Sequence, residues 1–410
     1  MKLRFLVAVS ALTVLIFSHN SFAGQFVFLD EQQLQSVKAS IADGSASESV
    51  KEEYKRLLKS ADKLLDRPNY TVADKTIIPP GATANDFVSI SSKAWPSESS
   101  ADGFPWAKKD ETNPDTKTDK VDRARINDMG KAVYTLSQAY YFSGNVDYAT
   151  KSAIMLKTWF LANKTRMNPH LQYAQTIPGV DKRSSSGIMD GRAIPYQVLD
   201  SINLIRSSSV WSERFDQVMD QWLATYLEYL TGSKMGGSAA KKTDRNGSWY
   251  YLQTSALAWY LDDQKVLKRQ FKLAKDIMKS QFNGKGGLVK ELDRSSSLRD
   301  SCFSLEGLTG IAVIADKAGK KFWDLPSKKN SSIGKGINYI MPAVVSGDWS
   351  HSDEDIDVSD CLVAIDRYAE YSDSAELKSS VSNLLKEVSD KDKKSSDDKR
   401  VISQLTLFKS

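Results

Sequence analysis

The chain has 410 residues, of which 41% are hydrophobic and 26% are charged, a composition typical of globular proteins. Its formal net charge is +5, and loss of an N-terminal segment containing Lys2 and Arg4 would lower that charge to +3. So small a surplus on so long a chain gives no indication of a nucleic-acid partner. Two cysteines and three histidines exclude a disulfide-scaffold protein and a histidine-rich metal centre.

The first 23 residues have the pattern of a secretory signal peptide. Lys2 and Arg4 come before an apolar stretch, residues 5–17, and small residues then surround a cleavage point. The apolar stretch is shorter than the roughly 20 residues that a membrane-spanning helix needs. We therefore expect a mature protein that begins near Gly24, is periplasmic or secreted, and has no contact with a membrane.

Apolar residues recur at helical spacing through most of the chain, in pairs of segments that predict antiparallel helix hairpins. The clearest hairpin covers residues 121–140 and 148–160, which are joined by the short polar link Ser143-Gly144-Asn145. The other predicted pairs are 31–42 with 50–65, 188–205 with 211–230, 249–261 with 266–282, 301–315 with 333–345, and 356–371 with 375–388.

Repeated helix pairs with few strand signals predict an all-α fold, as an open solenoid or as a closed (α/α) toroid. We favour the toroid, because the loops are long and polar and would gather at one end to form a substrate cleft. We expect one domain over residues 24–388 and a charged C-terminal segment over residues 389–410. Cys302 and Cys361 form either one disulfide, which an exported location permits, or two buried thiols.

One long segment, residues 78–114, is irregular and contains several prolines. A loop of this length in a compact domain is usually functional or disordered. Trp95 and Trp106 argue against disorder, because such side chains need a surface to lie on. They could stack on sugar faces in a cleft, whereas Trp249, at helical spacing, is more typical of a core residue.

Several motifs follow one another in order between residues 80 and 315, and together they resemble the alginate lyase superfamily. The resemblance implies an α/α toroid that cleaves uronate-containing polysaccharides by β-elimination. Because the sequence has no evident metal-ligand set, we expect this reaction to be metal-independent and to need no cofactor. The motifs include Asp102-Gly103-Phe104-Pro105, Asn168-Pro169-His170-Leu171-Gln172-Tyr173-Ala174-Gln175, Gly187-Ile188-Met189-Asp190-Gly191-Arg192, Asn246-Gly247-Ser248-Trp249-Tyr250 and Phe303-Ser304-Leu305-Glu306-Gly307-Leu308.

β-Elimination needs three functional groups. One group neutralises the uronate carboxylate so that the C5 proton becomes acidic, a base removes that proton, and an acid protonates the leaving oxygen. Arg, Asn or Gln suit the first task, His, Tyr or Lys suit the second, and Tyr commonly serves the third.

This chain departs from the family pattern at two places where that chemistry is expected. The family motif Asn-Asn-His reads Asp244-Arg245-Asn246 here, so that Asn246 replaces the candidate base and Arg245 replaces the carboxylate-binding asparagine. Downstream, Arg294 matches the family arginine, but the tyrosine expected six or seven residues later falls on Asp300. An ionised Asp300 would repel an anionic substrate unless Arg294 or Arg299 pairs with it.

Other residues are therefore candidates for the reaction. The predicted catalytic residues are Tyr250 beside the altered motif, Arg294, and His170 as a relocated base. The alternative interpretation of His170 is an exposed loop residue after a proline. The predicted binding residues for an acidic polysaccharide are Arg245, Asn246, Trp95, Trp106, Tyr173, Gln175 and Arg299, with no metal ligands.

Two further hypotheses stay open. The chain could be a catalytically impaired protein that binds acidic glycans through its arginines, whose planar donors can bond both carboxylate oxygens. It could also be an acid/base glycoside hydrolase, which needs two opposed carboxylates. Glu291, Glu306, Asp190 and Asp300 are available for that role.

Overall fold

The structure, a computed structural model, describes residues 25–109, 111–180, 184–351 and 357–392. The predicted signal peptide, residues 1–23, lies outside these ranges, as do residues 393–410 of the charged C-terminal segment. Among the described residues, no helix combines the length and the apolar composition needed to cross a membrane.

Within the described ranges the chain forms fourteen α-helices, most of them in antiparallel hairpins. The hairpins close around a common axis, which confirms the prediction of an all-α (α/α) toroid. The helices are α1 (Glu31–Asp43), α2 (Glu48–Leu65), α3 (Arg123–Ser143), α4 (Val146–Leu156), α5 (Leu199–Ile205), α6 (Glu213–Gly232), α7 (Lys234–Ala239), α8 (Arg245–Tyr260), α9 (Gln264–Met278), α10 (Val289–Leu292), α11 (Ser297–Lys317), α12 (Ile333–Ser346), α13 (Ser359–Ser372) and α14 (Ala375–Asp392).

The helix predicted over residues 188–205 is broken into three pieces. A 3-10 turn covers Ser185–Gly191, a π-helical turn covers Ile194–Val198, and only then does α5 begin. Pro195 lies in the π-helical turn and has no N–H group to donate to a preceding carbonyl. Single π-helical turns are frequent at functional sites, and this one carries Tyr196.

Four short strands organise the irregular segment that the sequence indicated over residues 78–114. Strand β1 (Val88–Ile90) pairs in parallel with β4 (Tyr173–Thr176), and β2 (Ala94–Trp95) pairs antiparallel with β3 (Ala107–Lys108). The segment is therefore ordered against the toroid, as its aromatic residues predicted.

The inner wall of the toroid includes α3, α8 and α11. Helix α8 is buried on nearly all sides, and Trp249 is 2% exposed with its Nε1 donating to the Phe303 carbonyl at 2.8 Å. Helices α8 and α11 approach closely at Gly307, where an added Cβ would lie 3.1 Å from the Ser248 backbone. A side chain at residue 307 would push the two helices apart.

A disulfide joins Cys302 on α11 to Cys361 on α13, which decides between the two states that the sequence left open. The bridged residues are 59 positions apart and have their Cα atoms 4.7 Å from each other. The bond ties together two inner helices that belong to different hairpins.

The segment just before α1 crosses the toroid at the C-terminal ends of α8 and α11. The Asp200 carboxylate accepts from the backbone N–H groups of Val27, Phe28 and Leu29 at 2.6, 2.9 and 3.0 Å. Lys317 Nζ donates to the Leu29 carbonyl at 2.7 Å. We call residues 26–29 the N-terminal strap.

Candidate active site

A cleft of about 900 Å³ opens at the end of the toroid opposite the N-terminal strap. The first turns of four helices meet there, and Arg123 of α3, Arg245 of α8, Arg299 of α11 and Ser359 of α13 all line it. The N-terminus of a helix carries a partial positive charge from its unpaired N–H groups. The cleft therefore lies where four helix ends favour an anion.

Side-chain charge adds to this effect. Among the described residues that line the cleft, nine are cationic and six are acidic. The cationic residues are Lys93, Lys108, Arg123, Lys131, Arg192, Lys242, Arg245, Arg294 and Arg299, and the acidic residues are Asp190, Asp244, Asp300, Glu306, Asp357 and Asp360. This excess of positive charge suits a polyanionic ligand.

The two positions that depart from the family pattern contact each other. Arg245 Nη1 forms an ion pair with Asp300 Oδ1, and the Arg245 backbone N–H donates to Glu291 Oε1 at 2.7 Å. Arg294 Nε lies 2.7 Å from Glu291 Oε2 and 3.6 Å from Asp300 Oδ2. Burial raises the pKa of Glu291, although Arg294 opposes the rise. Asp300 is thus neutralised by Arg245 and Arg294, and not by Arg299.

Asn246 is held by the residue that caps α8. The Asp244 carboxylate accepts from the Asn246 backbone N–H at 3.0 Å and from its side-chain amide at 3.1 Å. Asp244 Oδ2 also lies 3.5 Å from Arg294 Nη2. Asn246 lines the cleft, but its amide cannot act as a base near neutral pH.

Gln175 lines another wall of the cleft in a backbone conformation that is rare for a residue with a side chain. Its φ is +50°, and residues held in this region cluster at functional sites. Its Nε2 donates to Asp190 Oδ1 at 3.0 Å, and Arg123 Nη2 lies 3.1 Å from Asp190 Oδ2. Ser89 Oγ donates to the Asp190 carboxylate and accepts from the Gln175 backbone N–H, which holds the Asp190 side chain and the Gln175 backbone in place.

Three cleft residues that the sequence did not single out as a set lie deeper, on the floor of the cleft. Tyr196 and Glu306 are half-buried and hydrogen-bonded to each other, and Arg192 lies one helical turn before Tyr196. Arg192 and Glu306 lie in two of the motifs that carry the family resemblance. Each is a charged residue inside an otherwise apolar helical segment, and that pattern is the sign of a functional role that the sequence offers. Spacing alone could not show that they meet.

Five of the predicted site residues lie in the cleft, and five do not line it. Gln175, Arg245, Asn246, Arg294 and Arg299 line it. The indole Nε1 of Trp95 donates to the Glu111 carbonyl at 3.1 Å, and Trp106 packs against the small cluster around β1. The Tyr173 hydroxyl donates to the Gly81 carbonyl.

The predicted proton-transfer residues are among those outside the cleft. Tyr250 is 3% exposed, and its hydroxyl donates to the Leu230 carbonyl at 3.2 Å, because α8 is buried on this side against α6. His170 Nε2 lies 3.0 Å from Asp86 Oδ1. Neither side chain lines this cleft, so the structure does not bring them together with the cleft arginines.

Comparison with known proteins agrees with this architecture. The family model for alginate lyase matches residues 71–349. An alginate lyase from Bacteroides ovatus is 28% identical, with a TM-score of 0.80 over 86% of this chain and 93% of that chain. Alginate lyase A1-III from Sphingomonas species A1 shares the fold at 16% identity and a TM-score of 0.55, over 84% of this chain and 88% of that chain.

A variant of alginate lyase A1-III complexed with a tetrasaccharide is 15% identical, with a TM-score of 0.57 over 84% of this chain and 88% of that chain. Comparison with curated protein sequences gives no significant match. The family match covers more than half of the chain and includes every helix that contributes to the cleft except α13. The chain belongs to the alginate lyase family and is a polysaccharide lyase.

Proposed function

We propose that this protein is exported and cleaves a uronate-containing polysaccharide of the alginate type by metal-independent β-elimination. The observation that carries the proposal is the meeting of four helix N-termini and nine cationic side chains in one cleft. A uronate polymer carries one carboxylate on each sugar, so its charge matches that of the cleft.

The arginines of the cleft differ in how much positive charge they can offer to a substrate. Arg245 and Arg294 already pair with acidic side chains. Within the described part of the chain, Arg192, Arg299 and Lys242 have no carboxylate at ion-pairing distance. These three side chains are thus available to neutralise a substrate carboxylate, while Gln175 and Asn246 can donate hydrogen bonds to it.

Export is supported by two independent features. The first 23 residues have the signal-peptide pattern, and the disulfide between Cys302 and Cys361 is of a kind that persists in oxidising compartments. We propose the periplasm or the surrounding medium as the location, with an acidic polysaccharide as the partner.

The assay follows from the chemistry. β-Elimination leaves a 4,5-unsaturated uronate, which absorbs in the ultraviolet, whereas hydrolysis makes reducing ends without this chromophore. We expect wild-type protein to form the unsaturated product from alginate, with the same rate in the presence of a chelator. New reducing ends without ultraviolet absorbance would show a hydrolase instead, and a loss of rate with chelator would contradict metal independence.

Glycan binding without cleavage is the second candidate function, and the Arg245–Asp300 ion pair favours it. The pair occupies positions where the family resemblance implies a carboxylate binder and a proton donor. In this case alginate would bind, as seen by titration calorimetry, but no unsaturated product would form from alginate, its separate mannuronate and guluronate blocks, or other uronate polymers.

A further inference from the structure

We call the part of the cleft around Arg245, Asn246 and Asp300 its mouth. The histidine and the tyrosine that the family resemblance implies there as base and acid are replaced by Asn246 and Asp300. Asn246 cannot titrate near neutral pH. Asp300 forms ion pairs with Arg245 and Arg294 and is therefore held as a carboxylate, which has no proton to give to a leaving oxygen. If the chain cleaves uronates, the proton transfer must take place elsewhere in the same cleft.

The floor of the cleft holds a tyrosine that can replace the missing acid. Tyr196 is the tyrosine that lines the cleft within the described residues, and it lies in the π-helical turn Ile194–Val198. Its hydroxyl donates to the Glu306 carboxylate, and Arg367 Nη2 donates to the hydroxyl oxygen at 3.4 Å. Burial raises the pKa of Tyr196 well above its ordinary value. The hydroxyl is therefore protonated at neutral pH, as a proton donor must be.

Glu306 is the matching candidate for the missing base. It lies six residues after Asp300 on α11, so the helical rise places it about 9 Å deeper along the axis of the cleft. Burial raises the pKa of its carboxyl group, while Arg367 and Arg192 and the hydrogen bond from Tyr196 oppose the rise. The groups that act on Glu306 are Arg192, Tyr196, Asp360 and Arg367.

Arg192 completes the arrangement as a binder for the substrate carboxylate. The Tyr196 backbone N–H donates to the Arg192 carbonyl at 3.2 Å, so the two side chains lie on one face, one turn apart. Arg192 Nη1 donates to the Met189 carbonyl at 3.1 Å, and the guanidinium lies 5.8 Å from the centre of the Phe303 ring. These contacts orient the guanidinium and leave other N–H groups for a ligand.

We propose that Arg192, Tyr196 and Glu306 form the catalytic centre of this chain, deeper in the cleft than the altered positions at its mouth. The proposal rests on the proposed lyase function. Arg192 binds the uronate carboxylate, Glu306 takes the C5 proton, and Tyr196 gives its proton to the leaving oxygen.

The step is balanced in atoms and electrons. The C5–H electron pair forms the C4=C5 double bond as the proton moves to Glu306, and the C4–O4 bond breaks with its electrons going to O4. The Tyr196 proton then joins O4. The hydrogen bond between the two side chains carries the proton from Glu306 back to the Tyr196 oxygen, which restores the starting state.

The proximity of base and acid has a stereochemical consequence. Because Tyr196 and Glu306 are hydrogen-bonded neighbours, they act on the same face of the sugar ring. In mannuronate the C5 hydrogen and the C4 oxygen lie on one side, whereas in guluronate, its C5 epimer, they lie on opposite sides. The centre should therefore cleave mannuronate blocks and leave guluronate blocks largely uncut.

The test compares Glu306→Gln, Tyr196→Phe and wild type on polymannuronate. Tyr251→Phe is the matched control, because the Tyr251 hydroxyl donates to the Ala240 carbonyl at 2.9 Å and does not line the cleft. We expect kcat to fall by roughly 10²–10⁴-fold in the first two variants, the range for loss of a general acid or base, with binding of the polymer within a few-fold of wild type. Tyr251→Phe should retain wild-type kcat. Thermal unfolding of each variant shows whether it is folded.

The outcomes separate this inference from the proposed function. If wild-type protein makes no unsaturated product from any uronate polymer, the proposed function fails. If wild type is active and Glu306→Gln or Tyr196→Phe keeps more than about a tenth of its kcat, far above what loss of an acid or base allows, the catalytic centre lies elsewhere. If a variant does not fold, the substrate preference of the wild-type protein still tests the assignment. Faster cleavage of polyguluronate than of polymannuronate would overturn it.

Discussion

Arg245 and Asp300, 55 positions apart in the chain, form an ion pair between the first turns of α8 and α11. They occupy the two places where the sequence departs from the pattern of its family. The residues at the two places therefore contact each other in the folded protein. Asp300 has 8% and Arg245 has 30% of its side chain exposed, and Arg294 and Glu291 extend the pair into a network. Either change alone would leave a charge near the cleft mouth without its present partner.

This relationship predicts strong coupling between substitutions. We expect Asp300→Tyr alone to lower the free energy of unfolding by roughly 1.5–3 kcal/mol, the range for a charge-assisted hydrogen bond, because Arg245 loses its carboxylate. Arg245→Asn should recover most of that loss when it is added. Urea unfolding of both single variants and the double variant measures the coupling. Additive effects would show that the pair is incidental.

A second prediction restores the residues that the family resemblance implies. Arg245→Asn, Asn246→His and Asp300→Tyr together return a candidate base and acid to the cleft mouth. In a Glu306→Gln background, this triple change should raise the rate of unsaturated product formation by at least about tenfold, a small part of what an acid and base can supply. The ultraviolet assay measures the change. No recovery in a folded protein would mean that the mouth no longer holds the reacting sugar.

The pH dependence of the reaction follows from Glu306. A base must be ionised, so kcat should fall as pH drops through the pKa of this carboxyl group. Burial raises that pKa above its ordinary value, so the fall should begin at a higher pH than for an exposed glutamate. The measurement is kcat on polymannuronate between pH 4 and 9, with saturating substrate. A kcat that stays constant down to the ordinary pKa of an exposed glutamate would contradict this role for Glu306.

The disulfide predicts a stability difference without a change in the cleft. Replacing Cys302 and Cys361 with serine should lower the free energy of unfolding by about 2–4 kcal/mol, because the unfolded chain regains the freedom of a long loop. Thermal unfolding with and without a reductant checks this result. Reductant should lower the melting temperature of wild type and leave that of the double serine variant unchanged.

A further prediction concerns Asp220 on α6. Burial raises the pKa of Asp220 from 3.8 to about 6, and the charge of Asp216, one helical turn earlier, adds to the rise. The Asp220 Oδ1 atom is buried and has no hydrogen-bond partner among the described residues. Between pH 3.8 and about 6 the Asp220 carboxyl group binds its proton more tightly in the folded state than in the unfolded state. The free energy of unfolding therefore falls as pH rises through this range. Asp220→Asn should therefore raise the melting temperature at pH 7.5 and change it little at pH 4. An equal effect at both pH values would show that charge is not the cause.

The helix hairpins could be predicted from the sequence because each buries one apolar face, and that face repeats at helical spacing. The break before α5 was harder to predict, since Pro195 is compatible with a helix start as well as with a π-helical turn. Tyr250 shows the limit for side chains. Its place beside a motif predicted that it lies in the cleft. Beyond its first turn, however, α8 is buried on nearly all sides, and the Tyr250 hydroxyl donates to the Leu230 carbonyl.

The ion pair of Arg245 and Asp300 and the contact of Tyr196 with Glu306 lay beyond sequence reasoning for a different reason. Both join residues of separate hairpins, and a single sequence gives the face of each helix but not its rotation against its neighbours. Five cleft residues were nevertheless predicted, because the motifs that carry them stand at helix N-termini and in the loops beside them. These parts of a toroid meet at one end.

The N-terminal strap has a consequence for the order of events in synthesis and export. Its Phe26 carbonyl accepts from Lys317 Nζ at 2.9 Å, from a residue 291 positions later. Because a chain is synthesised from its N-terminus, residues 26–29 must wait until Lys317 has been made before they reach this partner. The contact between the strap and Lys317 thus forms late, and the proposed export would delay it until most of the chain has crossed the membrane.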